Sequence, residues 1–80
     1  MPTALIAIDQ GTTSTRAIAF DAALRPLATA QKELQQIYPA PGEVEHDPEE
    51  IWTAVIETVW SVMAKAKITA RDVAGIGITN

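Results

Sequence analysis

Asp9, Gly11, Thr12, Thr13, Ser14, Thr15 and Arg16 fall within eight consecutive residues near the start of the chain. Their types suit one kind of chemistry. Hydroxyls and backbone N–H groups donate to phosphate oxygens, and an arginine adds a fixed cation that matches phosphate geometry. A glycine lets the backbone bend and lets a ligand come close to it. An acid beside phosphates implies a divalent metal, because a bare carboxylate would repel them. The stretch therefore reads as a hairpin turn that holds a nucleotide phosphate and its magnesium. The same composition also serves ordinary turns, which Gly, Thr and Ser populate for local reasons. Asp9 favours the phosphate, since it closes an apolar run at the place where α/β sheets present ligand groups. The spacing is not the Walker pattern, for no Gly-Lys-Ser/Thr follows, and one glycine stands where a dinucleotide fingerprint needs three.

The elements that must position this turn can be drawn from the apolar pattern. Ala4 to Ile8 is continuously apolar, as in a strand buried on both faces. Arg16 to Phe20 pairs with it across the turn, Ala22 to Pro26 makes the next turn, and Leu27 to Leu34 is a third, more polar strand. Gln35 to Asp47 is a loop, broken by Pro39, Pro41 and Gly42. A helix then starts with Asp47 as N-cap, Pro48 at the first helical position and Glu50 to complete a capping box. It runs to about Lys65, and Ile51, Trp52, Val55, Ile56, Val59, Trp60, Val62 and Met63 recur on one wide apolar face. Val73 to Thr79 is the last strand, with Gly75 and Gly77 placed for close packing or a bend. A helix between two strands is a crossover that links parallel strands. The expected order is third, second, first, last: a mixed β-β-β-α-β sheet of the α/β class. This order resembles the opening of the ribonuclease-H-like fold shared by actin-like ATPases.

Bulk properties narrow the function. With a hydrophobic share of 48% the chain is globular in character, and its 80 residues make one small domain that is marginal without help. The net charge is −4 and no basic patch is present, which argues against nucleic acid or an anionic membrane as partner. The absence of cysteine closes disulfide, thiolate-zinc and cysteine-nucleophile chemistry within these residues. No signal peptide or membrane span is legible, so a cytoplasmic protein is expected. The sequence stops directly after a strand-like run, and a leading fragment of something longer is expected.

Ile8-Asp9-Gln10-Gly11-Thr12-Thr13-Ser14-Thr15-Arg16 resembles the first phosphate motif of the glycerol kinases, within the FGGY family of carbohydrate kinases. Gln36-Ile37-Tyr38-Pro39 with Pro41 to Pro48 resembles the family's loop before the first helix, and Gly75 to Asn80 its following strand. The match covers nearly all of residues 1–80, which would form the first part of the N-terminal lobe. Glu43 departs from it, standing where the family usually has tryptophan. The resemblance implies transfer of the γ-phosphoryl of ATP to a terminal hydroxyl of glycerol. It implies that Gln10, Gly11, Thr12, Thr13, Ser14 and Arg16 bind the nucleotide, that Thr12 also meets the phosphate of the product, and that Asp9 holds Mg2+, through water. The general base, the glycerol grip and the second lobe would follow Asn80, so the short chain alone should be inactive and the full-length enzyme a homo-oligomer. Other sugar kinases of the family (xylulose, gluconate, ribulose) and a non-catalytic nucleotide-binding module are the alternatives.

The other polar and aromatic residues have simpler readings. Trp52 and Trp60 are expected in the core, as aromatic stripes of this spacing usually are. His46 should hydrogen-bond near the helix cap, and Tyr38 should pack over the sheet. Glu45, Asp47, Glu49 and Glu50 suit the helix N-terminus, and Lys65 and Lys67 its C-terminus.

Overall fold

A computed structural model describes residues 3–34 and 47–79. The apolar run and its polar continuation form β1 (Ala4–Gln10). β2 (Ser14–Asp21) and β3 (Pro26–Glu33) follow it as an antiparallel meander. Helix α1 (Pro48–Ala66) comes next, then a 3-10 turn at Ala70–Asp72, and β4 (Val73–Thr79) pairs in parallel with β1. The sheet order is β3-β2-β1-β4, as the crossover requires. The expected loop at 35–46, with Tyr38, Glu43, Glu45 and His46, lies outside the described residues.

The first two strands run further towards the turn than their apolar cores. The ladder continues through Asp9 opposite Arg16 and Gln10 opposite Thr15, so only residues 11–13 lie outside the strands. A β-branched threonine fits a pleated, half-buried surface well. Alternation then sorts the side chains. Ile6 and Ile8 of β1 and Ala17 and Ala19 of β2 form the core with Ala30 and Val62. Asp9, Ser14 and Arg16 have the opposite parity and share the other face of the sheet.

Local chemistry fixes the helix ends. Asp47 Oδ1 accepts from the Glu49 N–H at 3.0 Å, with Pro48 in the first turn. Lys65 Nζ donates to Thr29 O at 3.1 Å, which ties the last turn to β3. The chain leaves through Lys67 in the left-handed region (φ 57°), and the Ile68 N–H reaches back to Met63 O at 3.1 Å.

Trp52 and Trp60 are not in the core. They are 64% and 69% exposed. The helix lies over β2 and β3 and only grazes β1. Its buried line is therefore Ala54, Thr58 and Val62, and Thr58 satisfies its hydroxyl on Ala54 O at 2.8 Å. The tryptophans and Ile56 instead border an open apolar groove whose far wall is Ile76 and Ile78 of β4. Helical spacing marks the apolar face, but the position of the helix on the sheet decides which part of it is covered. Gly75 lies next to a register shift between β1 and β4, as a bend would have it. A side chain added at Gly77 would meet nothing within 4 Å.

Candidate functional site

At the turn between β1 and β2 the carbonyl oxygens of Gly11, Thr13 and Ser14 accept hydrogen bonds from within the protein. The Gly11 N–H donates to Ser14 O at 2.9 Å, and the Leu34 N–H donates to Thr13 O at 2.8 Å. Gln10 Nε2 donates to Gly11 O at 3.3 Å. Carbonyl oxygens repel an anion and N–H groups attract it. A trans peptide also sets its C=O and N–H on opposite sides. Holding the Gly11 and Thr13 carbonyls in these bonds thus sets the N–H groups of Thr12 and Ser14 on the side away from them. Gly11, Thr12 and Thr13 are exposed and Ser14 is half-buried. That composition and exposure suit a phosphate.

Gly11 is not required by the turn itself. Its backbone is not in the left-handed region, and an added Cβ would meet only Ser14 O, at 3.4 Å. Ordinary contact at that distance costs little.

Arg16 Nη2 lies 3.1 Å from Asp9 Oδ2 on the face turned away from the helix, and both side chains are about half exposed. The cation and the acid expected at the site are thus neighbours, paired with each other. No group of three or more His, Cys, Asp or Glu side chains that could hold a metal occurs among the described residues. The half-exposed Asp9 carboxylate is of the ligand type that magnesium accepts, and its partner among the described residues is Arg16.

The run of hydroxyls divides. Thr12 and Thr13 lie on the turn and Ser14 opens β2, while Thr15 is fully buried on the helix side, where its Oγ1 donates to Gln10 Oε1 at 2.8 Å. Both polar atoms of the Gln10 amide are thereby bonded inside the protein. The residue types gave no sign of the Leu34 tie, because it is made by a backbone N–H. Thr15 could have been assigned inward from strand alternation, once β2 is started at Ser14.

At the far end of the hairpin, Asp21 organises the second turn. Its Oδ1 accepts from the Ala23 and Arg25 N–H groups, both at 2.9 Å, and its Oδ2 from Arg25 Nε at 3.0 Å. The Arg25 N–H is the main cause that holds this carboxyl below its ordinary pKa, assisted by the Ala23 N–H and the Arg25 charge, with some desolvation opposing.

Residues 4–80 match the family described as the FGGY family of carbohydrate kinases, N-terminal domain. The chain is 58% identical over 76 residues to the glycerol kinase of Rhizobium rhizogenes strain K84, which covers 95% of the chain and 15% of that protein. It is 58% identical over 78 residues to the glycerol kinase of Variovorax paradoxus strain S110, covering 98% of the chain and 16% of that protein. Among solved structures, gluconate kinase from Lactobacillus acidophilus superposes with a TM-score of 0.89 at 28% identity, over 99% of the chain and 15% of that protein. Plasmodium falciparum glycerol kinase with ADP gives 0.79 at 32% identity, over 99% of the chain and 16% of that protein. The chain thus spans about 15% of the length of the sequence relatives it matches. With the mixed sheet of the ribonuclease-H-like fold and the motif at its first turn, this match shows that the chain belongs to the FGGY family of carbohydrate kinases.

Proposed function

We propose that the chain is the leading part of an ATP-dependent kinase that phosphorylates glycerol to sn-glycerol 3-phosphate, and that it supplies the grip on the ATP phosphates. The supporting observation is the turn at 11–14, whose carbonyls at Gly11, Thr13 and Ser14 are all held by internal donors. Glycerol is favoured over other acceptors because sequence relatives at 58% identity are glycerol kinases, and among solved structures a glycerol kinase is 32% identical against 28% for gluconate and xylulose kinases.

In this account Gly11, Thr12, Thr13 and Ser14 line the β- and γ-phosphates, and Thr12 also meets the phosphate of the product. Gln10 belongs to the same site and supports the turn. Arg16 balances charge as the phosphoryl group moves, and Asp9 holds Mg2+ through water. The metal would supply neutralisation of phosphate charge. Phosphoryl transfer depends mainly on positioning and charge stabilisation, so donors on a short turn between two paired strands suit it. The general base and the acceptor grip lie in residues after Asn80, and the 80-residue chain alone has no kinase activity. The working protein is a cytoplasmic homo-oligomer that acts on small molecules, without a nucleic-acid or membrane partner.

The test is ATP-dependent turnover by the full-length protein with glycerol, xylulose, gluconate and ribulose offered in parallel. Turnover with glycerol alone is expected. Turnover with another acceptor would keep the phosphate grip and change the substrate. No turnover with any would favour a non-catalytic nucleotide-binding module.

A further inference from the structure

The Thr15 hydroxyl lies at the edge of the phosphate motif, yet it has no route to a ligand. The residue is fully buried on the helix side of the sheet. Its Oγ1 donates to Gln10 Oε1 at 2.8 Å, and Gln10 Nε2 donates to Gly11 O at 3.3 Å. A carbonyl oxygen only accepts, so the nitrogen of the amide must face Gly11 and its oxygen must face Thr15. The Gly11 carbonyl thus selects the amide orientation, and the Thr15 hydroxyl, which can donate or accept, anchors the amide oxygen in it. Without the hydroxyl, the amide oxygen would be left unpaired beside an apolar group, which favours a displaced amide. Gly11 O would then lose its donor.

The consequence falls on one peptide. The Gly11 carbonyl and the Thr12 N–H belong to the same planar trans unit, so fixing one fixes the other. We propose that Thr15 is a positioning residue: through Gln10, its buried hydroxyl holds the Gly11–Thr12 peptide with its N–H turned towards the ATP phosphates. This rests on the phosphate-binding role proposed for the turn.

The experiment uses the full-length protein and measures kcat, and KM for ATP and for glycerol, in Thr15→Val, Thr15→Ser, Gln10→Met and the double variant Thr15→Val/Gln10→Met. Thr15→Val and Gln10→Met should each raise KM for ATP about ten-fold, the scale of one lost hydrogen bond in a polar site, with KM for glycerol unchanged. Thr15→Ser keeps the hydroxyl and should restore the ATP value. The double variant should be no worse than either single one, since both remove the same link. Gln10→Met alters only a half-buried side chain, so the proposal stays testable if the buried Thr15→Val does not fold. Gly11→Ala serves as the reference. If Gly11→Ala weakens ATP while Gln10→Met and Thr15→Val do not, or if Thr15→Ser fails to rescue, or if the single losses multiply, the positioning role is wrong. If Gly11→Ala also leaves ATP binding unchanged, the phosphate role of the turn falls first, and this proposal with it.

Discussion

Arg16 and Asp9 stand directly opposite each other across β1 and β2, and their side chains meet at 3.1 Å on the face of the sheet that the helix leaves open. An exposed pair of this kind contributes under about 1 kcal/mol to stability. In the role proposed for Arg16 its worth is of another order, since a cation placed where charge moves can change rates by a hundred-fold or more. Arg16→Gln should therefore leave the unfolding midpoint almost unchanged and lower kcat of the full-length protein by at least about a hundred-fold. A large loss of stability with kcat retained would assign the pair to structure instead.

Leu24 carries a left-handed backbone (φ 62°) and is 65% exposed. The turn imposes this, because its N–H binds Asp21 O at 2.9 Å while the Asp21 N–H binds Arg25 O at 3.0 Å. A left-handed conformation costs a residue with a Cβ about 1–2 kcal/mol, part of which glycine gives back through unfolded-chain entropy. Leu24→Gly is expected to stabilise the fold by about 1 kcal/mol, seen as a higher midpoint in thermal unfolding.

Val62 and Trp60 lie on the same helix but in opposite situations. Val62 is fully buried in the core, and Val62→Ala should cost about 2 kcal/mol from lost burial and the cavity left behind. Trp60 borders the open groove, and Trp60→Gln in the 80-residue chain should cost about 1 kcal/mol or less. Chemical denaturation of the two variants side by side distinguishes these positions. Light scattering should also show less self-association for Trp60→Gln, because it removes part of an exposed apolar patch.

Asp21 gives the hairpin an acid-sensitive end. Its carboxyl is held below its ordinary pKa, chiefly by the Arg25 N–H. A group with a lowered folded pKa contributes stability that is fully present above its unfolded value and is lost as pH falls through the folded one. The turn at 21–25 should therefore loosen in acid, below the ordinary carboxylate range. An NMR titration of Asp21 should place its midpoint below that of an unstructured aspartate. In Asp21→Asn the Ala23 and Arg25 amide protons should lose this pH dependence.

Much of this fold could be read directly from residue types. The apolar run at 4–8, the cap at Asp47 and the single crossover already specify the strand order, because few connections satisfy a helix between two strands. The turn at 11–13 was legible too, from a glycine and hydroxyls at the end of a buried strand. Other features depended on three-dimensional relations that no local pattern carries. The burial of Ala54 and Thr58 in place of Trp52 and Trp60 follows from where α1 rests on the sheet. The inward direction of Thr15 follows from the ladder continuing past Asp9 and Gln10. The tie from Leu34 to Thr13 is a backbone bond between segments far apart in the chain.

Gly11→Ala tests the central claim most directly. The turn has room for the added methyl, which would meet only Ser14 O at 3.4 Å, so the folded protein should be as stable as before or slightly more so. A phosphate lying against this backbone would not have that room. In the full-length protein, calorimetric titration with ATP should show affinity weakened at least about ten-fold, with glycerol binding unchanged and the unfolding midpoint unchanged or raised. Unaltered ATP affinity in a normally folded Gly11→Ala protein would contradict the assignment of this turn as the phosphate grip.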